Sequence, residues 1–208
     1  MAAFGVLGAQ ATPPTPKGAV APELKDLEQR LRKGATIREE VLERVQVANR
    51  AELILARPLS LTTSVKAAGL TEKLISSKNG ERTFLRVKHA EMPETSDFFI
   101  RVFLNLPNAN AQTSDKDPHY AGSYAFFGTR ADHPEGHKGS HGRTEFLINI
   151  SNAIERLTRK GVLGANETLS VQLVAVPAPK QRIAKPESRL RINSVEISLS
   201  RAIVELIK

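Results

Sequence analysis

Three histidines, His133, His137 and His141, follow one another at intervals of four residues. Neutral imidazole is a ligand for borderline metals such as copper and zinc, so this spacing could bring three ligands together. A helix would align them directly, but one proline and three glycines lie between and beside the histidines and exclude it. The segment is therefore predicted to be a loop, which either gathers around copper or zinc or is a polar surface connection between two strands.

No other group of reactive residues in the sequence is arranged as a catalytic site would require. The chain has no cysteine, which removes disulfides, thiolate metal sites and cysteine nucleophiles. Serine, histidine and aspartate occur without a nucleophile-elbow motif, and Glu91 and Glu94 fall in a polar turn. The net charge of +8 would attract phosphate, but basic and acidic residues are interspersed and aromatics make up only 5%. We therefore expect no specific nucleic-acid partner.

The spacing of apolar residues predicts the elements that position these side chains, and this spacing changes at about Pro58. Beyond it, short segments rich in β-branched and aromatic residues alternate with Gly, Pro and Asn turns, which is typical of antiparallel strands. One helix is predicted from Asn152 to Gly161, and the broken alternation at Asn193–Ser194 indicates a β-bulge. The predicted fold is all-β, an antiparallel β-sandwich of about seven strands with one short helix, preceded by an N-terminal helical hairpin. The predicted strands are 59–65, 83–88, 97–106, 120–128, 144–150, 168–176 and 189–199.

Aromatic side chains in these strands are expected to supply much of the core. A glycine that lies between two of them, Gly122, would permit a close approach of the two sheets or a kink. The aromatic residues predicted to fill mainly the core are Phe99, Phe103, Tyr120, Tyr124 and Phe126.

Composition divides the chain into a flexible Ala/Pro-rich arm or export-signal remnant (1–21), a helical extension (22–57) and the β-sandwich domain (58–208). Ala-Gln-Ala at residues 9–11 is typical of a signal-peptidase cleavage site, but the segment before it lacks the basic residues with which a signal peptide starts. Exported (periplasmic) and cytoplasmic locations therefore both stay open. Apolar residues at helical spacing predict two short helices, over 22–33 and 36–51. Such helices need a surface to pack on, either the β domain or another chain. The predicted partner-binding residues are Leu24, Leu27, Leu31, Val41 and Val45.

Four segments of the β domain together resemble one known family. They are FIRVFLN at residues 99–105, DPHYAGSYAFFG at 117–128, LSVQLVAVP at 169–177 and INSVEI at 192–197. Their order is similar to that in the C-terminal β-sandwich accessory domain of bacterial tyrosinase-like proteins and polyphenol oxidases, which are type-3 copper proteins. The resemblance covers residues 59–199. In that family, catalysis belongs to a separate helical domain with two sets of three histidines, one set for each copper.

The five histidines of this chain cannot supply the six ligands that two copper ions would need. The resemblance therefore implies a chain without the di-copper catalytic domain, which is not an enzyme by itself and has no cofactor of its own. Copper would lie at the histidine loop or in a partner. The resemblance also implies that the domain docks on a catalytic chain and shields its active site with an aromatic placeholder, for which Tyr120 and Phe127 are the candidates.

Two other functions stay open. A scaffold or linker subunit of a multi-protein complex is favoured by the Ala/Pro arm and the helical extension, because such arms often become ordered on binding a neighbour. A copper carrier would use His133, His137 and His141.

No apolar run approaches the roughly 20 residues that a transmembrane helix needs, so a membrane-spanning segment is not expected.

Overall fold

The structure, a computed structural model, describes residue 29 and residues 35–63, 68–75, 80–91, 93, 97–126, 144–164, 168–183 and 185–206. Its helices with described bounds are α1 (Ala68–Ile75) and α2 (Ser151–Arg159). Within these residues, no helix is long and apolar enough to span a membrane. The strands are β1 (Ala35–Ile54), β2 (Leu59–Thr62), β3 (Glu81–His89), β4 (Phe98–Leu104), β5 (Tyr120–Ala125), β6 (Glu145–Asn149), β7 (Ser170–Pro177) and β8 (Arg189–Leu206).

The described strands form two four-stranded sheets with the orders β1-β8-β3-β6 and β2-β7-β4-β5. Side chains alternate across each strand, so that β3 buries Leu85 and Val87 and leaves Arg82 and Lys88 exposed. The inward-facing apolar residues of both sheets make one core cluster. The predicted all-β sandwich is therefore confirmed.

All seven predicted strands are present, as β2 to β8, with shifted ends. The predicted bulge is also confirmed, because Lys88 pairs with Ser194 while His89 pairs with Ile192, which leaves Asn193 as the extra residue. Helix α2 lies where a helix was expected and buries its apolar face. It begins at Ser151 without a side-chain cap, so the capping box predicted from Asn152 is not formed.

The helix predicted over residues 36–51 is wrong, because this segment forms strand β1 beside β8. The apolar residues that suggested a helix are mostly four apart, and a spacing of four also keeps side chains on one face of a strand. Three ion pairs connect the two strands in antiparallel order: Glu40 with Arg201, Arg44 with Glu196 and Glu52 with Arg189. Pairing with a strand near the other end of the chain therefore decides the structure here.

A second, smaller apolar cluster covers the outer face of sheet β2-β7-β4-β5. Phe103, Val174 and Val176 point outward from β4 and β7 and are covered by residues of the 105–119 connection, among them Ala109. The strands β4 and β7 are therefore apolar on both faces, as expected for central strands that are covered on both sides.

Gly122 in β5 lies close to β6 of the other sheet. A Cβ atom built on this glycine would lie 2.7 Å from Cγ2 of Ile148 in β6, and its φ of +152° is rarely adopted by other residues. The predicted role of Gly122 in close sheet approach is therefore confirmed.

By internal contacts the chain divides into Glu39–Ile203, which holds the sandwich, and a second unit of Met1–Arg38 with Val204–Lys208. The described part of the second unit comprises Gln29 and the ends of β1 and β8. Of the first predicted helix, over 22–33, only Gln29 is described, and it is helical. This helix and the boundaries predicted at residues 21 and 57 stay predictions.

Candidate functional site

A tight corner at the start of β5 presents Asp117, Pro118, His119 and Tyr120. The carboxylate of Asp117 accepts a hydrogen bond from the His119 backbone N–H at 2.8 Å, and the Asp117 carbonyl accepts one from the Tyr120 N–H at 3.0 Å. An Asp that bonds the backbone two residues on is a favoured way to make such a turn. The corner is therefore specified by its own sequence.

The His119 ring fixes the corner to strand β4. Its Nδ1 lies 2.7 Å from the Leu104 carbonyl oxygen, and the Leu104 N–H donates to the His119 carbonyl at 2.9 Å. Because a carbonyl only accepts, Nδ1 carries the hydrogen of this bond. The His119 side chain therefore connects the corner to β4 through this hydrogen bond.

Arg156 of α2 holds the same corner from the other side. Its Nε donates to the Pro118 carbonyl at 3.2 Å, and its Nη2 donates to the Tyr120 carbonyl. Hydrogen bonds from a charged donor are stronger than neutral ones. The Tyr120 ring is half-buried and meets Phe103 edge to face, with 5.8 Å between ring centroids. The corner is therefore rigidly held, and the aromatic ring of Tyr120 packs on its own sandwich.

A buried polar pair lies in the core near the other end of β5. His89 Nε2 is 2.8 Å from the Tyr124 hydroxyl, and the His89 ring is surrounded by Tyr124, Phe126 and Phe146. Burial lowers the pKa of His89 to about 4 and raises the pKa of Tyr124 beyond its usual range. Both groups are therefore neutral at neutral pH.

The second nitrogen of His89, Nδ1, is buried without a hydrogen-bond partner. If the Tyr124 hydroxyl donates to Nε2, only the Nδ1 hydrogen stays unsatisfied. The opposite tautomer would leave both the Nδ1 lone pair and the Tyr124 hydroxyl hydrogen without a partner. The first arrangement is therefore favoured, although it still carries the cost of one unsatisfied buried group.

His89 also contacts both residues that flank the histidine-bearing segment 127–143. Its ring lies 5.0 Å from that of Phe126, and its backbone N–H donates to the Thr144 carbonyl at 2.8 Å. His89 is not among the site residues predicted from the sequence. Continuing the alternation of β3 by one step from Val87 would have placed it on the inward face.

The predicted site residues are only partly described. Tyr120 lies in the corner, whereas Phe127, His133, His137 and His141 lie outside the described residues, as do Leu24, Leu27 and Leu31. Val41 is 39% exposed on β1, whereas Val45 is partly buried against the core. The structure brings none of these described residues together, and their predicted roles stay predictions.

The residues that the structure describes do not fit a copper ion. Among them, no three His, Asp or Glu side chains come together. The Nε2 atom of His89 is bonded to Tyr124, and its ring is enclosed by aromatic groups. A copper ligand set therefore has no counterpart in the described part of this chain.

The chain matches one protein family and is similar to several solved structures. Residues 38–198 match the family described as "Domain of unknown function (DUF7868)". No curated protein matches the chain. Two similar solved structures are a latent aurone synthase (polyphenol oxidase) from natural source and a latent apple tyrosinase. The former is 18% identical with a TM-score of 0.46, and the latter is 15% identical with a TM-score of 0.37. Each likeness covers 76% of this chain but only 29% and 27% of those chains, so the chain spans less than a third of their length.

Proposed function

The chain belongs to the family described as "Domain of unknown function (DUF7868)", and we propose that it is a non-catalytic accessory domain that docks on a type-3 copper oxidase. The support begins with the sequence segments that resemble tyrosinase-like accessory domains. Two of them form β4 and β5, which pair antiparallel from Phe99 with Ala125 to Phe103 with Tyr120, with a register shift between Val102 and Phe103. These two segments are therefore neighbours in one sheet of the sandwich.

The observation that carries the proposal is the rigid corner from Asp117 to Tyr120. It is bonded to β4 through His119 and to α2 through Arg156, so it is already ordered in the isolated chain. A docking surface that is already ordered loses little conformational entropy on binding. A half-buried aromatic residue with a polar hydroxyl, such as Tyr120, is the kind of side chain that dominates many protein interfaces.

In the proposed mechanism, the sandwich covers the mouth of the partner's active site and excludes phenolic substrate until it moves away. Copper and its histidine ligands belong to the partner. This chain supplies a shaped surface and an aromatic placeholder, for which Tyr120 and Phe127 remain the candidates. Shielding would lower the oxidation rate without any change at the metal itself.

The test is to titrate the purified chain into a di-copper catalytic domain that lacks its own accessory domain, taken from the same genome. We expect co-elution in size-exclusion chromatography and a saturable fall in the rate of diphenol oxidation. Tyr120→Ala should raise the concentration needed for half inhibition by about tenfold, which corresponds to about 1.4 kcal/mol. The matched control is Leu147→Ala, an exposed apolar residue on β6. An unchanged oxidation rate together with separate elution would rule out the proposal.

A scaffold or linker function is the second candidate, and strand β1 favours it. β1 is an edge strand of 20 residues, and Val41 and Leu42 on it are 39% and 37% exposed. Exposed apolar residues on a long edge strand are typical of surfaces that pair with another chain. Replacing both by glutamate should release the partner from the purified complex under this function, and should leave oxidase inhibition intact if the first proposal holds.

The third function, a copper carrier, depends on residues outside the described ranges. Copper titration of the His133→Ala/His137→Ala/His141→Ala variant against the unmodified chain tests it. Equal affinities would remove this function.

A further inference from the structure

Among the described residues, no strand pairs with the last residues of β7 on its β2 side. The pairing of β2 with β7 ends at Leu59 opposite Leu173, whereas β7 continues to Pro177. On its other side β7 stays paired with β4 up to Phe98 opposite Pro177. One side of the segment from 174 to 177 therefore faces a position that no described strand occupies, which we call the open lane.

The hydrogen bonds around β7 identify which groups face the open lane. The Thr63 N–H donates to the Leu169 carbonyl at 2.9 Å, and the Asn105 N–H donates to the Ser170 carbonyl at 2.9 Å. Bonding sides alternate along a strand, so odd-numbered residues of β7 bond toward β2 and even-numbered residues bond toward β4. The N–H and the carbonyl of Ala175 therefore point into the open lane.

The two residues before β2 cannot fill this lane. In the observed register Arg57 would face Ala175, but the Arg57 N–H donates to the Ile54 carbonyl at 2.9 Å within a turn. Pro58 has no N–H to offer. Ala175 is only 3% exposed, and a buried backbone group without a partner costs about 1–3 kcal/mol. The open lane is therefore a recess in which the N–H and the carbonyl of Ala175 are available to pair with the backbone of a bound segment.

The open lane widens into a groove of about 350 Å³, which is within the size range of ligand sites. Leu55 and Ile183 contribute apolar wall, and Arg57 and Arg182 also line it. Among its described lining residues none is acidic, and no ion pair within the described part of the chain involves either arginine. The groove therefore combines apolar contact area with an uncompensated positive charge.

We propose that this groove binds an extended peptide segment that carries acidic side chains and adds to β7 as a short strand. Strand addition at an open sheet position is a recurrent mode of peptide recognition, in which backbone bonds give affinity and alternate side chains give specificity. Ala175 supplies the backbone pair, the apolar wall receives one face of the peptide, and the two arginines receive carboxylates on the other. The inference does not depend on the proposed oxidase partner, because the purified chain is expected to bind such a peptide alone.

The test is fluorescence polarisation with a labelled, terminally blocked hexapeptide of alternating valine and glutamate. We expect saturable binding that weakens by about tenfold in the Arg57→Gln/Arg182→Gln variant. The matched control is Arg159→Gln, another exposed arginine, which should bind like the unmodified chain. The same peptide with glutamine in place of glutamate should bind about tenfold more weakly to the unmodified chain. Equal binding of the two peptides would overturn the proposed role of charge.

Backbone pairing is tested with peptides rather than with protein variants, so that misfolding cannot confuse the result. One peptide carries N-methyl groups on its first, third and fifth residues, and another carries them on its second, fourth and sixth. A strand that pairs through one edge loses binding with one methylated set and keeps it with the other. Equal binding of both sets, or no saturable binding of the unmethylated peptide, would overturn the proposal.

Discussion

The buried His89 should make the stability of the protein fall as the solution becomes acidic. Burial lowers its pKa from an ordinary value of 6.5 to about 4, so the unfolded chain takes up a proton at a higher pH than the folded chain does. The contribution of His89 to stability is therefore fully present above about pH 6.5 and is lost as the pH falls through about 4. Each pKa unit corresponds to about 1.4 kcal/mol, so the whole effect amounts to about 3 kcal/mol.

The measurement is urea unfolding followed by circular dichroism at about pH 7.5 and about pH 4.5, with the His89→Leu variant beside the unmodified chain. Between these two conditions the unmodified chain should lose about 2.5 kcal/mol more than the variant. Other titrating groups contribute to both proteins and cancel in this difference. Val87→Ala provides a control, because it removes buried volume from the same strand without removing a titrating group and should keep the pH dependence of the unmodified chain. Equal losses in the unmodified chain and His89→Leu would refute the reasoning.

Three further changes test the packing around the candidate site, each by its free energy of unfolding or its hydrogen exchange. Tyr124→Phe removes the hydroxyl that pairs with the His89 side chain and should cost about 2 kcal/mol at neutral pH; a change below about 0.5 kcal/mol would mean that the pair is not needed. Gly122→Ala places a methyl group against Ile148 at an unfavourable φ and should cost about 2 kcal/mol, and a neutral effect would contradict the close sheet approach. Arg156→Ala should speed amide exchange at Tyr120 and its neighbours in the corner while leaving β3 protected. Unchanged exchange would show that the corner stays ordered without Arg156.

Much of the sandwich could be predicted from the sequence because its strands alternate cleanly. In β3, Val87 lies between Arg86 and Lys88, and Leu85 is on the other side of Arg86, so the period of two is plain. The β1 segment could not be read in the same way. Val41 and Val45 lie four apart, a spacing shared by one face of a helix and one face of a strand. Only the pairing with β8, which is remote in sequence, distinguishes the two structures.

The candidate site was predicted less completely, for two physical reasons. The resemblance directed attention to Tyr120, but the interactions that hold its corner come from Arg156 and Leu104, whose proximity depends on the fold. The open lane at Ala175 depends on the register of β2 against β7, and a strand pattern does not encode register by itself. Only the inward position of His89 could have been found by continuing the alternation of its strand.

The strand order has a consequence for how the protein folds while it is being synthesised. β1 leaves the ribosome before the other described strands, yet its neighbour in the sheet is β8, the last described strand. β8 also lies between β1 and β3, so one sheet lacks a central member until all the other described strands have been made. Chains with such remote pairings fold slowly and expose unpaired strands meanwhile. Nascent chains halted before residue 189 should therefore depend on chaperones and be readily cleaved by proteases.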